Sequence, residues 1–136
     1  MVKNKERFEH GEHNEEVCDL LALQKKFPDW TITTAFYASL HFVSYKIFPF
    51  NHPVKDHPDI HVENIEAWQR IKSHRNSKRH ELLKDLVSDH CPTISPDYDW
   101  LLGICMTARY HNFQHDQLIV DKAVRLMKAI KKDCHP

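Results

Sequence analysis

The chain has 136 residues, 41% of them hydrophobic and 28% charged, with 19 basic side chains against 19 acidic ones. That length suits one domain with a core of its own, and a net charge of zero excludes a general nucleic-acid coat. Two Gly and seven Pro disfavour a fold rich in tight turns and favour long helices with few connections.

The four cysteines, Cys18, Cys91, Cys105 and Cys134, form no CxxC pair. Reduced thiols in a cytoplasmic protein are therefore expected. The first ten residues, MVKNKERFEH, hold no apolar stretch, so no signal peptide is read there. They are expected to be a flexible lead into a single domain spanning 1–136.

A first helix is predicted from about Glu12 to Phe27, with Val17, Leu20 and Leu21 inward, His13 on the same side, and Pro28 as the stop. Asp29 is a suitable cap for a second helix reaching about Phe48. Its apolar residues, from Trp30 and Ile32 to Tyr45 and Ile47, lie almost all round, as in a central, covered helix. Thr31, Thr33, Thr34, Ser39, His41, Ser44 and Lys46 make the run too polar to cross a membrane. PFNHPVKDHPDIH (49–61) reads as a loop, since three Pro in ten residues forbid a helix.

A third helical region is expected from near Asp59, with a stripe of Ile65, Trp68 and Ile71 resumed by Leu82, Leu83, Leu86 and Val87. Ser95-Pro96 opens a fourth helix with Asp97 and Asp99 in its first turn. Leu101, Leu102, Cys105 and Ala108 point inward there, and Arg109 continues that side. Asp116 caps a last helix with a stripe of Val120, Val124, Met127 and Ile130. No strand pattern competes, so the expected fold is all-α: an antiparallel up-down bundle of four to five helices. Trp30, Trp68 and Trp100 are assigned to its core, and Lys128, Lys131 and Lys132 to favourable charge at a helix C-terminus.

Charge is uneven along the chain. Residues 6–19 hold six acids against Arg7, whereas 70–84 hold six Lys or Arg against Glu81, together with His74 and His80. On one straight helix Arg75 and His80 would lie ~140° apart and could not share a ligand. A helix restarting at Asn76 or Ser77 would bring them together, with Arg75 just before it and His80 in its first turn. A phosphate there would meet free backbone N–H groups, a guanidinium and an imidazole. In that arrangement Arg75 holds phosphate and His80 is the acid or base, while Asn76, Arg79, Lys72, His74 and Lys78 orient or steer. With 12 His and six Arg in the chain, the spacing by itself reads first as a solvated helix face. Arg109 and His115 form a second pair of similar spacing.

HNEEVCDLLALQKKFPDWTITTAFYASLHFV (13–43), the basic segment and WLLGICMTARYHNF (100–113) together resemble the HEPN domains of prokaryotes. The pieces that carry the resemblance are His13-Asn14, PDW, AFYASLH ending in His41, and Ala108-Arg109-Tyr110. The resemblance implies a small helical bundle, often encoded beside a nucleotidyltransferase as a toxin–antitoxin pair. Many HEPN domains are metal-independent endoribonucleases with an Arg, a polar residue, three more residues and a His, a pattern that Arg75 to His80 matches. The resemblance thus implies that the Arg and His of two subunits meet in a homodimer cleft, where an RNA 2′-hydroxyl attacks the phosphate. It also brings His13, Asn14, His41, Arg109 and Tyr110 forward as site-lining residues, and no cofactor is expected.

Two other functions are weighed. In a non-catalytic interaction module, the basic face would dock an antitoxin or nucleotidyltransferase partner. In a metal-binding bundle resembling the DinB type, His41 would join His111 and His115, whose spacing can place two imidazoles on one ion, as can that of His57 and His61. The dimer axis is expected near residues 70–80.

Overall fold

The computed structural model describes residues 1–71 and 78–136. Among these the chain is mostly helical with one two-stranded sheet, so the all-α expectation is corrected by a hairpin. The first helix, α1 (Lys5–Gln24), starts well before Glu12, because Asn4 Oδ1 accepts the Glu6 N–H at 3.0 Å and caps it. The expected loose lead is also tied down: Phe8 is buried, and Lys3 Nζ donates to Lys46 O at 2.7 Å.

The inward face of α1 is Phe8, Gly11, Glu15 and Cys18, not Val17, Leu20 and Leu21. Leu20 is 59% exposed, and Leu23 81%. The helix turns its smallest residue inward because a Cβ at Gly11 would stand 2.5 Å from the Phe42 ring. Only glycine there lets that ring lie against the helix backbone.

The second helix, α2 (Pro28–Ile47), has Pro at its start and is buried on most sides. Its buried hydroxyls are satisfied within the helix: Thr31 donates to Phe27 O, Thr33 to Asp29 O and Ser39 to Ala35 O, at 2.7–2.8 Å. A polar-looking run therefore forms the centre of the core. Trp30 departs from the expected core and is 57% exposed, whereas Trp68 is buried. Among the described residues no helix is long and apolar enough to cross a membrane.

The predicted loop is a hairpin. Strand β1 (Phe50–Val54) pairs antiparallel with β2 (His57–Val62), in the register Phe50↔Val62 and His52↔Ile60, with an irregularity before Val54. Each strand has an open edge, so Pro53 and Pro58 cost no ladder bond. Asp59 is accordingly in a strand, and the third helix, α3 (Ile65–Ile71), starts later, with Asn64 Oδ1 accepting the Ala67 N–H at 2.9 Å. Helix α4 (Arg79–His90) begins after Lys78, with His80 in its first turn; the expected caps Asn76 and Ser77 lie outside the described residues.

Helix α5 (Ser95–Tyr110) buries Leu101, Leu102, Cys105 and Ala108, and α6 (Gln117–Cys134) buries Val120, Met127 and Ile130, as their stripes predict. Lys128 and Lys131 do more than favour the helix C-terminus. Lys128 Nζ lies 2.8 Å from Glu15 and 2.7 Å from Asp19, and Lys131 Nζ lies 2.7 Å from Glu15. These pairs bind α6 antiparallel to α1. Helices α2 and α6 run in the same direction, since Lys46 meets Asp133 near their ends while Thr31 and Val120 line one cavity near their starts. All four cysteines are free and buried.

Candidate functional site

Three helices contribute unlike side chains near the start of α4. His80 enters from the first turn of α4, and its ring packs edge-on to Phe36 of α2 at 5.8 Å. Burial, and then the charge of Arg109, push its imidazole below the ordinary value against an opposing influence from Glu81. A neutral imidazole is thus held near a permanent cation.

Arg109 comes from the last turn of α5. Its Nη1 donates a short hydrogen bond to Tyr37 Oη of α2, and its guanidinium stands 5.6 Å from the Tyr37 ring centre and 5.0 Å from that of Tyr110. Two aromatic rings and a hydroxyl therefore fix the cation in place. Burial raises the Tyr37 phenol above its usual value and Arg109 partly offsets this, so the hydroxyl keeps its proton and remains able to donate it. An imidazole able to take or give a proton, a fixed cation and a phenol donor are what a phosphate diester requires at one face.

Of the residues anticipated for phosphate, Lys72, His74, Arg75 and Asn76 lie outside the described residues. Lys78 is exposed at the start of α4. Arg79 holds Glu66 at 3.0 Å, which ties α4 to α3 and partly neutralises its charge. The site-lining candidates divide into two groups. Arg109 lies within electrostatic range of His80 with Tyr110 beneath its guanidinium, whereas His41 stacks on His10 at 3.7 Å with 18° between the rings, and His13 stands 6.5 Å from His10. Burial first, and His10 second, push the His41 imidazole down to about 4. Asn14 is half-buried on α1.

The three-histidine metal site is corrected. His115 Nε2 donates to Asn112 O at 2.7 Å and lines a cavity with Phe27 and Thr31, while His111 is exposed at the end of α5. Thr31 and His41 are about 15 Å apart along α2, so these imidazoles do not share an ion. His57 and His61 lie on a strand, where their spacing does not bring the rings together. Among the described residues no three His, Cys, Asp or Glu groups are placed to hold a metal.

Sequence reasoning missed Tyr37, His10 and Arg7. Tyr37 and His41 are four residues apart and share a face of α2, a signal hidden in a helix read as apolar all round. Arg7 and His10 lay in the stretch expected to be loose. Comparisons with family models, with curated proteins and with solved structures gave no match to this chain.

Proposed function

We propose that this chain is a HEPN-like helical bundle that binds the phosphate of RNA or of a nucleotide at the face formed by Tyr37, His80, Arg109 and Tyr110. The observation that carries the reading is that His80, packed on Phe36, feels the charge of Arg109, whose guanidinium is hydrogen-bonded to the phenol of the neighbouring Tyr37. Arg75, five residues before His80 in the sequence and outside the described residues, is the further cation that the HEPN resemblance implies.

The chemistry this set supports is metal-independent cleavage in a homodimer with its axis near residues 70–80. His80 of one copy takes the proton of the RNA 2′-hydroxyl, and the 2′-oxygen bonds to phosphorus. The bond from phosphorus to the 5′-oxygen breaks, and that oxygen takes a proton from the second copy's His80. The products are a 2′,3′-cyclic phosphate and a 5′-hydroxyl. One imidazole must start neutral and the other protonated, so the rate peaks on the acid side of the ordinary histidine range.

Binding of a short labelled single-stranded RNA at low salt, followed by fluorescence anisotropy, tests the reading. Affinity should fall as salt rises, and Arg109→Gln or Arg75→Ala should each weaken it while lowering the salt slope by about one. Absent affinity, or affinity indifferent to salt and to both substitutions, overturns it.

A non-catalytic module that docks a nucleotidyltransferase or antitoxin partner is favoured by a different observation. Leu20, Leu23, Phe27 and Trp30, around the α1–α2 connection, are 59%, 81%, 42% and 57% exposed, more apolar surface than a free helix end needs. Retention of a co-expressed partner by Arg75→Ala but not by Leu23→Asp would favour that module over the RNA reading.

A further inference from the structure

A cavity of about 430 Å³ opens between the start of α1, the second half of α2 and the start of α3. Its volume falls in the range of small-ligand sites, which are concave and carry a few placed polar groups on apolar walls. Leu40, Phe48 and Ile65 provide the apolar wall. The polar groups are unevenly committed. Arg7 Nη2 donates to Glu63 O at 2.8 Å and the guanidinium lies over the Phe48 ring at 5.5 Å, but its Nη1 is buried with no hydrogen-bond partner. Asn64 spends its Oδ1 on Ala67 N, which leaves its amide N–H groups for an acceptor. Buried donors of this kind are seldom left unused.

The aromatic feature is the His10–His41 stack, which lines the same cavity. His41 is half-buried beneath His10, whereas His10 is exposed. An outer imidazole face on a two-ring stack is a platform for a third flat ring. Placement adds the link to the phosphate site: His41 is one turn beyond Tyr37 on the same face of α2, about 6 Å along the helix. A phosphate held at Tyr37 and Arg109 thus leaves its own nucleoside within reach of His10.

We infer that the cavity between α1, α2 and α3 is a nucleobase subsite, in which the base stacks on His10 and its acceptor edge meets Arg7 and Asn64. The inference rests on the phosphate reading above and extends it from an anion site to a nucleotide site with a defined direction along α2. The burial that pushes the His41 imidazole down suits the stack, because an uncharged inner ring meets no like charge across the 3.7 Å contact.

The test is proton NMR of the full chain, following the imidazole signals of His10, His41 and His80 during titration with AMP, CMP and, separately, ribose 5-phosphate. The nucleotides should move all three histidines, with upfield ring-current shifts at His10, whereas ribose 5-phosphate should move His80 alone. His10→Ala replaces an exposed helical side chain and keeps the fold. It should weaken AMP by about tenfold, within the range for one stacked base, and leave ribose 5-phosphate unchanged. If ribose 5-phosphate and the nucleotides all shift His80 and none affects His10 or His41, the base subsite is refuted and the phosphate site stands. If none of the three shifts His80, the phosphate reading itself fails, and the subsite with it.

Discussion

Gly11→Ala and Gly103→Ala are the same chemical change in two helices, and the structure predicts opposite signs. A Cβ at Gly11 would lie 2.5 Å from both Cδ1 and Cε1 of Phe42 and 3.1 Å from Cζ. Contact distances for carbon are about 3.5–4.0 Å, so the ring would have to retreat by about 1 Å. It has little room to do so, being fully buried with Phe8 packed on it at 4.9 Å between ring centres. Overpacking of this kind costs about 1–3 kcal/mol, set against roughly 1 kcal/mol that alanine gains over glycine inside a helix. A net destabilisation of up to about 2 kcal/mol is expected, a fall in Tm of roughly 3 °C for each kcal/mol in a domain of this size. At Gly103 an added Cβ meets nothing within 4 Å, so only the propensity gain remains and Tm should rise. Urea denaturation of the two variants measures both signs. Phe42→Leu should also cost less in the Gly11→Ala background than in the natural chain, because the two sites share one space. A Gly11→Ala variant as stable as the parent, or shifts of the same sign at both glycines, would refute the account of how α1 meets α2.

Tyr98→Phe should leave stability unchanged or raise it by up to about 1 kcal/mol, since the phenol oxygen is buried without a partner; a loss larger than that in urea would show that the hydroxyl is bonded. Burial works against the charge of Glu15, but hydrogen bonds from Lys128 and Lys131 outweigh it and hold its carboxyl below the usual range. That stability is present above the unfolded pKa and is lost as pH falls through the folded one. Glu15→Gln should therefore cost about 1 kcal/mol at pH 7, with the gap to the parent closing below about pH 4.5; a gap constant from pH 7 to 3 would contradict the ion triad. His41 should titrate near 4 by NMR. Because its folded value is depressed, its contribution lowers stability as pH drops from about 6.5 toward that midpoint; a midpoint above 6 would mean that the ring is not covered.

What the residues determined alone is the part governed by local chemistry. The stripes Leu101, Leu102, Cys105 and Val120, Met127, Ile130 repeat at helical spacing, so α5 and α6 and their buried faces follow directly. That a helix starts close before His80, with His80 in its first turn, was likewise legible, although it starts after Lys78, and the expected caps Asn76 and Ser77 lie outside the described residues. Tertiary structure decided whatever depended on a neighbour. The buried face of α1 was set by the fit of Phe42 against Gly11, and a count of leucines pointed to the wrong side. The hairpin at 50–62 formed despite its prolines because both strands are edges. Tyr37 and Arg109 are 72 positions apart, and no periodicity within either helix reports that α5 carries the guanidinium onto that phenol beside His80. Helical spacing reaches only a few residues along a chain, whereas a site drawn from α2, α4 and α5 exists only once their packing brings them together.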